Sequence, residues 1–238
     1  MRWTLPNILT VLRLFAAPLF VVVYMALARP YADWIGVTLF VAAALTDYFD
    51  GLLARRWKQI SSFGRMLDPI ADKAMTVLAL AMLLILFLRD DRAVVFPVPD
   101  PWIVGDWVLV APVMVILFRE IFISGLREFL GADAGRLAVT KLAKWKTTIQ
   151  MVAVVAMLSV LLFEHYYTVR SFAMEHAQVV AVLSGEAEDL TGLRWLYQAW
   201  LVTYNGGLLL MWLAAILTAI TGLDYFRKAA PFLADEDR

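Results

Sequence analysis

Six apolar runs separated by polar stretches restrict this chain more than any other feature. They are Ile8 to Leu27, Trp34 to Leu45, Met75 to Leu88, Trp102 to Phe118, Trp145 to Phe163 and Leu196 to Leu223. A helix needs about 20 predominantly apolar residues to cross the hydrocarbon of a bilayer. Several runs reach or approach that length, and the shorter ones can borrow a turn from their polar flanks. The expectation is an all-α, polytopic membrane protein with six transmembrane helices, near 6–28, 33–56, 68–88, 102–127, 144–164 and 195–223, forming a single domain over 1–238. Composition agrees: 62% of residues are hydrophobic, against roughly half in an ordinary soluble domain.

There is no cysteine, so disulfides, thiolate metal sites and cysteine nucleophiles are excluded. A formal net charge of +0 says little until the charges are placed by side. An even number of spans puts both termini on one face. If the termini are inside, the inner segments hold Arg2, Arg55, Arg56, Lys58, Arg65, Lys73, Arg119, Arg127, Arg136, Lys141, Lys144, Lys146, Arg227, Lys228 and Arg238. The outer segments hold only Arg29, Arg89, Arg92, Arg170 and Arg194. That asymmetry assigns the first group to the cytoplasm.

The first run imitates a cleavable leader, with Arg2, an apolar stretch and small residues at Ala26 and Ala28. Asn7, Thr10 and Arg13, however, recur every third residue and give it a polar stripe. It reads as the first membrane helix. Within it Arg13 lies at depth and needs an anionic partner, a nucleotide or an aspartate. Trp34, Trp102, Trp107, Trp145, Trp195 and Trp200 fall near span ends and read as interfacial anchors. The longest polar interval, Glu164 to Arg194, falls outside, and its Ala173 to Leu183 reads as a short helix on the membrane surface. It carries both histidines, His165 and His176, which read as structural.

Between the second and third runs lies DYFDGLLARRWKQISSFGRMLDPIADK, Asp47 to Lys73. Asp47, Asp50, Gly51 and Ala54 stand at i, i+3, i+4 and i+7, one helical face, and Gly64, Asp68 and Asp72 step by four along another. Two helices joined by a short loop can bring these faces together as oxygen donors around a small cavity. Four like charges at low dielectric repel unless a cation sits among them. All-carboxylate ligation suits a hard ion, Mg²⁺ or Mn²⁺, and such ions are commonly shared with substrate phosphates. Basic residues nearby then point to phosphoryl chemistry. The bland alternative is four solvated aspartates paired with Arg55, Arg56, Lys58 and Lys73.

The pattern Asp47-x2-Asp50-Gly51-x2-Ala54-Arg55-x8-Gly64-x3-Asp68-x3-Asp72 resembles the complete signature of the CDP-alcohol phosphotransferase family, and PNILTVLR near the start resembles that family's first helix. The resemblance runs from about Pro6 to the last span. It implies the family's fold of six helices, usually a homodimer, around a cytoplasm-facing metal site. Asp47, Asp50 and Asp68 would hold the metal, with Asp72 as a ligand or as the catalytic base. Asn7, Thr10, Gly51, Ala54, Arg55 and Gly64 would lie around the CDP moiety. FREIFISGLREF, Phe118 to Phe129, and KLAKWKTTIQM, Lys141 to Met151, resemble the family's bacterial phosphatidylglycerophosphate synthases.

That resemblance implies transfer of a phosphatidyl group from CDP-diacylglycerol to sn-glycerol 3-phosphate, in the bacterial inner membrane. The partners implied are those two substrates, the bilayer and a second copy of the chain, with no nucleic acid. Arg119, Arg127, Lys144 and Lys146 form a basic group on the side of the aspartates, suited to an acceptor that carries a phosphate. Topology alone also places basic residues there, where they attract anionic headgroups. Cardiolipin, phosphatidylserine and phosphatidylinositol phosphate synthases would keep the same aspartates. From another class, a divalent-cation transporter would need acids within several spans, whereas here they cluster at one face.

Overall fold

The computed structural model describes residues 5–57, 62–88, 107–131 and 141–234. Every regular element among them is a helix: α1 (Leu5–Ala26), α2 (Tyr31–Trp57), α3 (Ser62–Phe87), α4 (Trp107–Leu130), α5 (Lys141–Ser171), α6 (His176–Ser184) and α7 (Leu193–Ala234). Helices satisfy their own backbone hydrogen bonds, the condition for crossing lipid. Five of them, α1, α3, α4, α5 and α7, contain stretches long and apolar enough to cross a membrane. α2 has 27 residues but carries Asp33, Asp47, Asp50, Arg55 and Arg56, which lower its apolarity.

α1 shows what kind of environment the fold is built for. Asn7, Thr10, Arg13, Ala17, Phe20 and Tyr24 are buried at three- and four-residue steps. The opposite face presents Leu12, Phe15, Leu19, Val22 and Met25 outward. Polar groups turned inward and apolar groups turned outward reverse the pattern of a water-soluble helix. Together with the chain's other long apolar helices, this makes it an integral membrane protein.

Contacts divide the chain into two compact units, one of Met1–Val104 with Val154–Gly207 and the other of Gly105–Ala153 with Leu208–Arg238. In the first, α1 packs along both α2 and α3, which touch each other far less. Phe20 meets Phe40, Tyr24 meets Gly36 and Arg13 meets Asp47, so α1 and α2 run antiparallel. Thr10 meets Asp68 and Arg13 meets Asp72, so α1 and α3 run parallel. A Cβ on Gly36 would come within 2.5 Å of the buried Tyr24 ring. Lipid offers helices little hydrophobic reason to associate, and close approach over small residues replaces it.

Elsewhere in this unit α5 and α7 pack antiparallel through Met157 at Gly207 and Phe163 at Trp195. Arg29, between α1 and α2, donates to Asp33 at 2.7 Å and reaches Glu164 on α5 at 3.4 Å, while Trp34 donates to the Tyr166 hydroxyl at 3.0 Å. α6 exists close to its expected place, but its apolar side is not left to the membrane. Val179 and Val182 bury against Tyr167, Leu193 and Leu196. Its last turn closes on Gly185, whose φ of 90° lies in the left-handed region that glycine favours. Trp34, Trp107, Trp145 and Trp195 are largely exposed, as interfacial anchors should be. Trp200 is not: it is buried and stacked on Tyr204 at 5.2 Å.

In the second unit Val108 meets Trp212, Arg119 meets Gly222 and Phe122 meets Phe226, so α4 and this part of α7 run parallel. Several helices outrun the apolar stretches that marked them. α3 starts at Ser62, ahead of its run at Met75, and α7 continues to Ala234, past Leu223. Hydropathy marks the part of a helix suited to lipid, whereas hydrogen bonding and pairs such as Asp224 with Lys228, 2.7 Å apart, carry it further.

Candidate active site

In the first unit the site is built at one end of α1, where its buried stripe turns polar. Arg13 is only 3% exposed. Its Nη1 donates to carboxylate oxygens of both Asp47 and Asp72. On α3, Asp68, one helical turn before Asp72, accepts a hydrogen bond from the Thr10 hydroxyl at 2.7 Å. Thus α1 supplies the donors, and α2 and α3 supply the acceptors. The 3–4 periodicity of Asn7, Thr10 and Arg13 is what places these side chains on one face. Asp47 and Asp72 remain nearly half exposed despite their buried partner, so a ligand can reach them.

The anionic partner expected for Arg13 is therefore a pair of aspartates from two helices. Of the residues expected around CDP, Thr10 is tied to Asp68, and Asn7 and Gly64 are buried. Asp50, Gly51, Ala54 and Arg55 belong to α2, but their side-chain surroundings lie outside the described residues.

The second unit holds the basic residues. Lys146, 5% exposed, donates to Glu120 Oε1 at 2.5 Å, and Arg119 Nη1 lies 3.1 Å from the same oxygen. Arg127 stands over the Tyr225 ring, 5.3 Å from its centroid, within cation–π range. The surroundings of Lys144 lie outside the described residues. Sequence reasoning missed Glu120 as the organising acid. Its signal was available: a lone carboxylate inside an apolar run, beside the arginine of FREIF.

The family described as CDP-alcohol phosphatidyltransferase matches residues 3–220. The chain belongs to that family. It is 51% identical over 241 residues to a CDP-diacylglycerol–glycerol-3-phosphate 3-phosphatidyltransferase of Cereibacter sphaeroides, covering 99% of this chain and 100% of the relative. A protein of the same name from Rickettsia bellii is 34% identical over 228 residues, 96% of each chain. Another from Pectobacterium atrosepticum is 37% identical over 161 residues, 66% of this chain and 78% of that one.

CDP-alcohol phosphatidyltransferases generally use a divalent metal. Among the described residues no group of three or more His, Cys, Asp or Glu is close enough to hold one, a set that omits the Asp50 side chain. The residues present nevertheless fit such an ion. Carboxylates from α2 and α3 converge on one guanidinium nitrogen, so the site already collects positive charge between them. Their all-oxygen character is that of a hard divalent cation's ligands.

Proposed function

We propose that this chain transfers the phosphatidyl group of CDP-diacylglycerol to sn-glycerol 3-phosphate, forming phosphatidylglycerophosphate and CMP. The observation that carries the reading is the convergence of Asp47 and Asp72, two fixed positions of the family pattern, on the buried Arg13. The acceptor follows from the names of the full-length relatives. Asp47, Asp50, Asp68 and Asp72 would hold Mg²⁺ or Mn²⁺. Such an ion would supply positive charge to offset that of the CDP pyrophosphate.

The protein's own groups do the rest. Asn7, Thr10, Gly51, Ala54, Arg55 and Gly64 surround the nucleotide and its phosphates. Arg119, Arg127, Lys144 and Lys146 hold the phosphate of the acceptor. Asp72, its carboxylate oriented by Arg13, takes the proton of the acceptor hydroxyl. The freed oxygen bonds to the phosphorus next to diacylglycerol, and the bond from that phosphorus to the oxygen of CMP breaks. Positioning and fixed charge supply most of the rate. Residues 1–238 work as one catalytic domain, crossing the bacterial inner membrane six times, with both termini and the site facing the cytoplasm. The antiparallel fit of α2 along α1, from Gly36 to Asp47, supports counting α2 as a span. By family resemblance the working form is a homodimer.

The test is CMP release by purified protein given CDP-diacylglycerol and Mg²⁺, with acceptors offered singly. Release with sn-glycerol 3-phosphate, lost on chelation and restored by Mg²⁺, is expected. Release only with serine, inositol phosphate or phosphatidylglycerol would replace the acceptor. No release with any acceptor would return the question to cation transport.

A further inference from the structure

Tyr225 on α7 lies beside the basic group of the second unit, yet neither pattern nor spacing pointed to it. Three observations single it out. Its ring supports the Arg127 guanidinium at 5.3 Å. Its side chain is buried, 7% exposed, and its hydroxyl finds no hydrogen-bond partner among the described residues. One turn earlier, Gly222 sits so close to Arg119 that a Cβ there would meet the arginine's Cγ at 3.1 Å. The Arg119 Nε is likewise buried without a partner among the described residues. Buried polar atoms in a folded protein normally have partners, so two donors without one among the described residues, both beside one basic group, suit an acceptor brought by a ligand.

The charge balance says what that acceptor is. Arg119, Arg127 and Lys146 carry three positive charges, and Glu120 returns one negative charge by holding Arg119 and Lys146 together. The excess suits a phosphate monoester dianion, whose oxygens accept from a phenol and from a guanidinium alike. We propose that Tyr225 donates a hydrogen bond from its hydroxyl to the phosphate monoester bound by Arg119, Arg127 and Lys146, while its ring holds Arg127 in place. This rests on the reading of that basic group as the acceptor-phosphate site and adds to it a residue from α7, with Gly222 leaving Arg119 room beside the helix.

The measurement is calorimetric titration of full-length protein in detergent with sn-glycerol 3-phosphate and, separately, with inorganic phosphate. It compares the natural chain with Tyr225→Phe, which keeps the ring and its contact with Arg127. CMP release is measured on the same samples. Loss of one hydrogen bond to a charged group should weaken binding of both ligands by roughly tenfold or more. The KM for sn-glycerol 3-phosphate should rise with it, and that for CDP-diacylglycerol should not. Equal affinities in the two proteins, with CMP release intact, would overturn the role of Tyr225 and leave the proposed function standing. Weakened phosphate binding in a protein that releases no CMP with this acceptor would sink the proposed function and keep the phosphate site. If the natural chain binds neither ligand, the phosphate site is refuted whatever its activity. A merely structural Tyr225 predicts a lower melting temperature for Tyr225→Ala and no change at all for Tyr225→Phe.

Discussion

The two polar clusters are charge-reversed versions of one design. In the first unit a single buried cation, Arg13, gathers two carboxylates from different helices. In the second a single carboxylate, Glu120, gathers two cations from different helices. Each central group is a counter-charge that keeps like charges together. Like charges brought together at low dielectric are costly, and the central counter-charge offsets that cost in each cluster. In the proposed function the first would take a divalent metal and the second the acceptor's phosphate.

The sharpest break of this symmetry is Asp72→Asn, which keeps the size of the side chain and removes its basicity. CMP release should fall about a thousandfold or more, with the helical circular dichroism unchanged. Near-normal turnover would remove Asp72 as the base. On the other side, Glu120→Gln keeps a hydrogen-bond acceptor but leaves Arg119 and Lys146 facing each other without a counter-charge. The expected result is a KM for sn-glycerol 3-phosphate raised about tenfold and an unchanged KM for CDP-diacylglycerol. Equal effects on both substrates would show that the clusters do not divide the work.

Two smaller changes test the scaffold around them. Gly36→Ala would drive a Cβ into the Tyr24 ring, which is buried against Phe20 at 5.2 Å. A loss of about 1–3 kcal/mol is expected, read as a lower unfolding midpoint in denaturant. Asp189, outside both clusters, is the control carboxylate. Its oxygens accept from the backbone N–H groups of Leu193 at 2.8 Å and Arg194 at 3.0 Å, at the start of α7. Partial burial pushes its carboxyl up, but backbone N–H groups of Arg194, Leu193 and Gly192 outweigh this and hold it below its ordinary range. Its contribution is then full above the ordinary aspartate value near 4 and is lost as pH falls through the lower, folded value. Asp189→Asn should cost about 0.5 kcal/mol at neutral pH, a capping effect reduced by solvent screening. The gap from the natural chain should close on acidification; a gap that persists at low pH would contradict the cap.

Much of the first cluster was legible because helical periodicity and the aspartate pattern lie close together in sequence. Asn7, Thr10 and Arg13 declared a polar face, and burial at depth demanded an anion for Arg13. Spacing could not say that Asp47 and Asp72, rather than a nucleotide, would meet it, since periodicity fixes a face and not the partner across from it. The second cluster was legible only as an excess of basic residues. Glu120 and Tyr225 were hidden because their roles depend on which face of α4 meets α5 and α7, contacts spanning 26 residues from Glu120 to Lys146. Trp200 misled for a related reason: its position near a span end suited an anchor, but its face turns toward Tyr197 and Tyr204. α2 shows the converse, since the acids of its aspartate pattern also dilute the apolar signal by which a span is recognised.

One comparison addresses the central claim most directly. Purified protein with CDP-diacylglycerol and Mg²⁺ is given either sn-glycerol 3-phosphate or glycerol at equal concentration, and the lipid products are weighed by mass spectrometry against CMP released. The account predicts phosphatidylglycerophosphate in one-to-one ratio with CMP, and a rate with glycerol lower by about a thousandfold or more, because the cluster's excess positive charge would lack the phosphate that balances it. Comparable rates with the two acceptors would show that the basic cluster does not read the phosphate, and the division of labour between the clusters would fall.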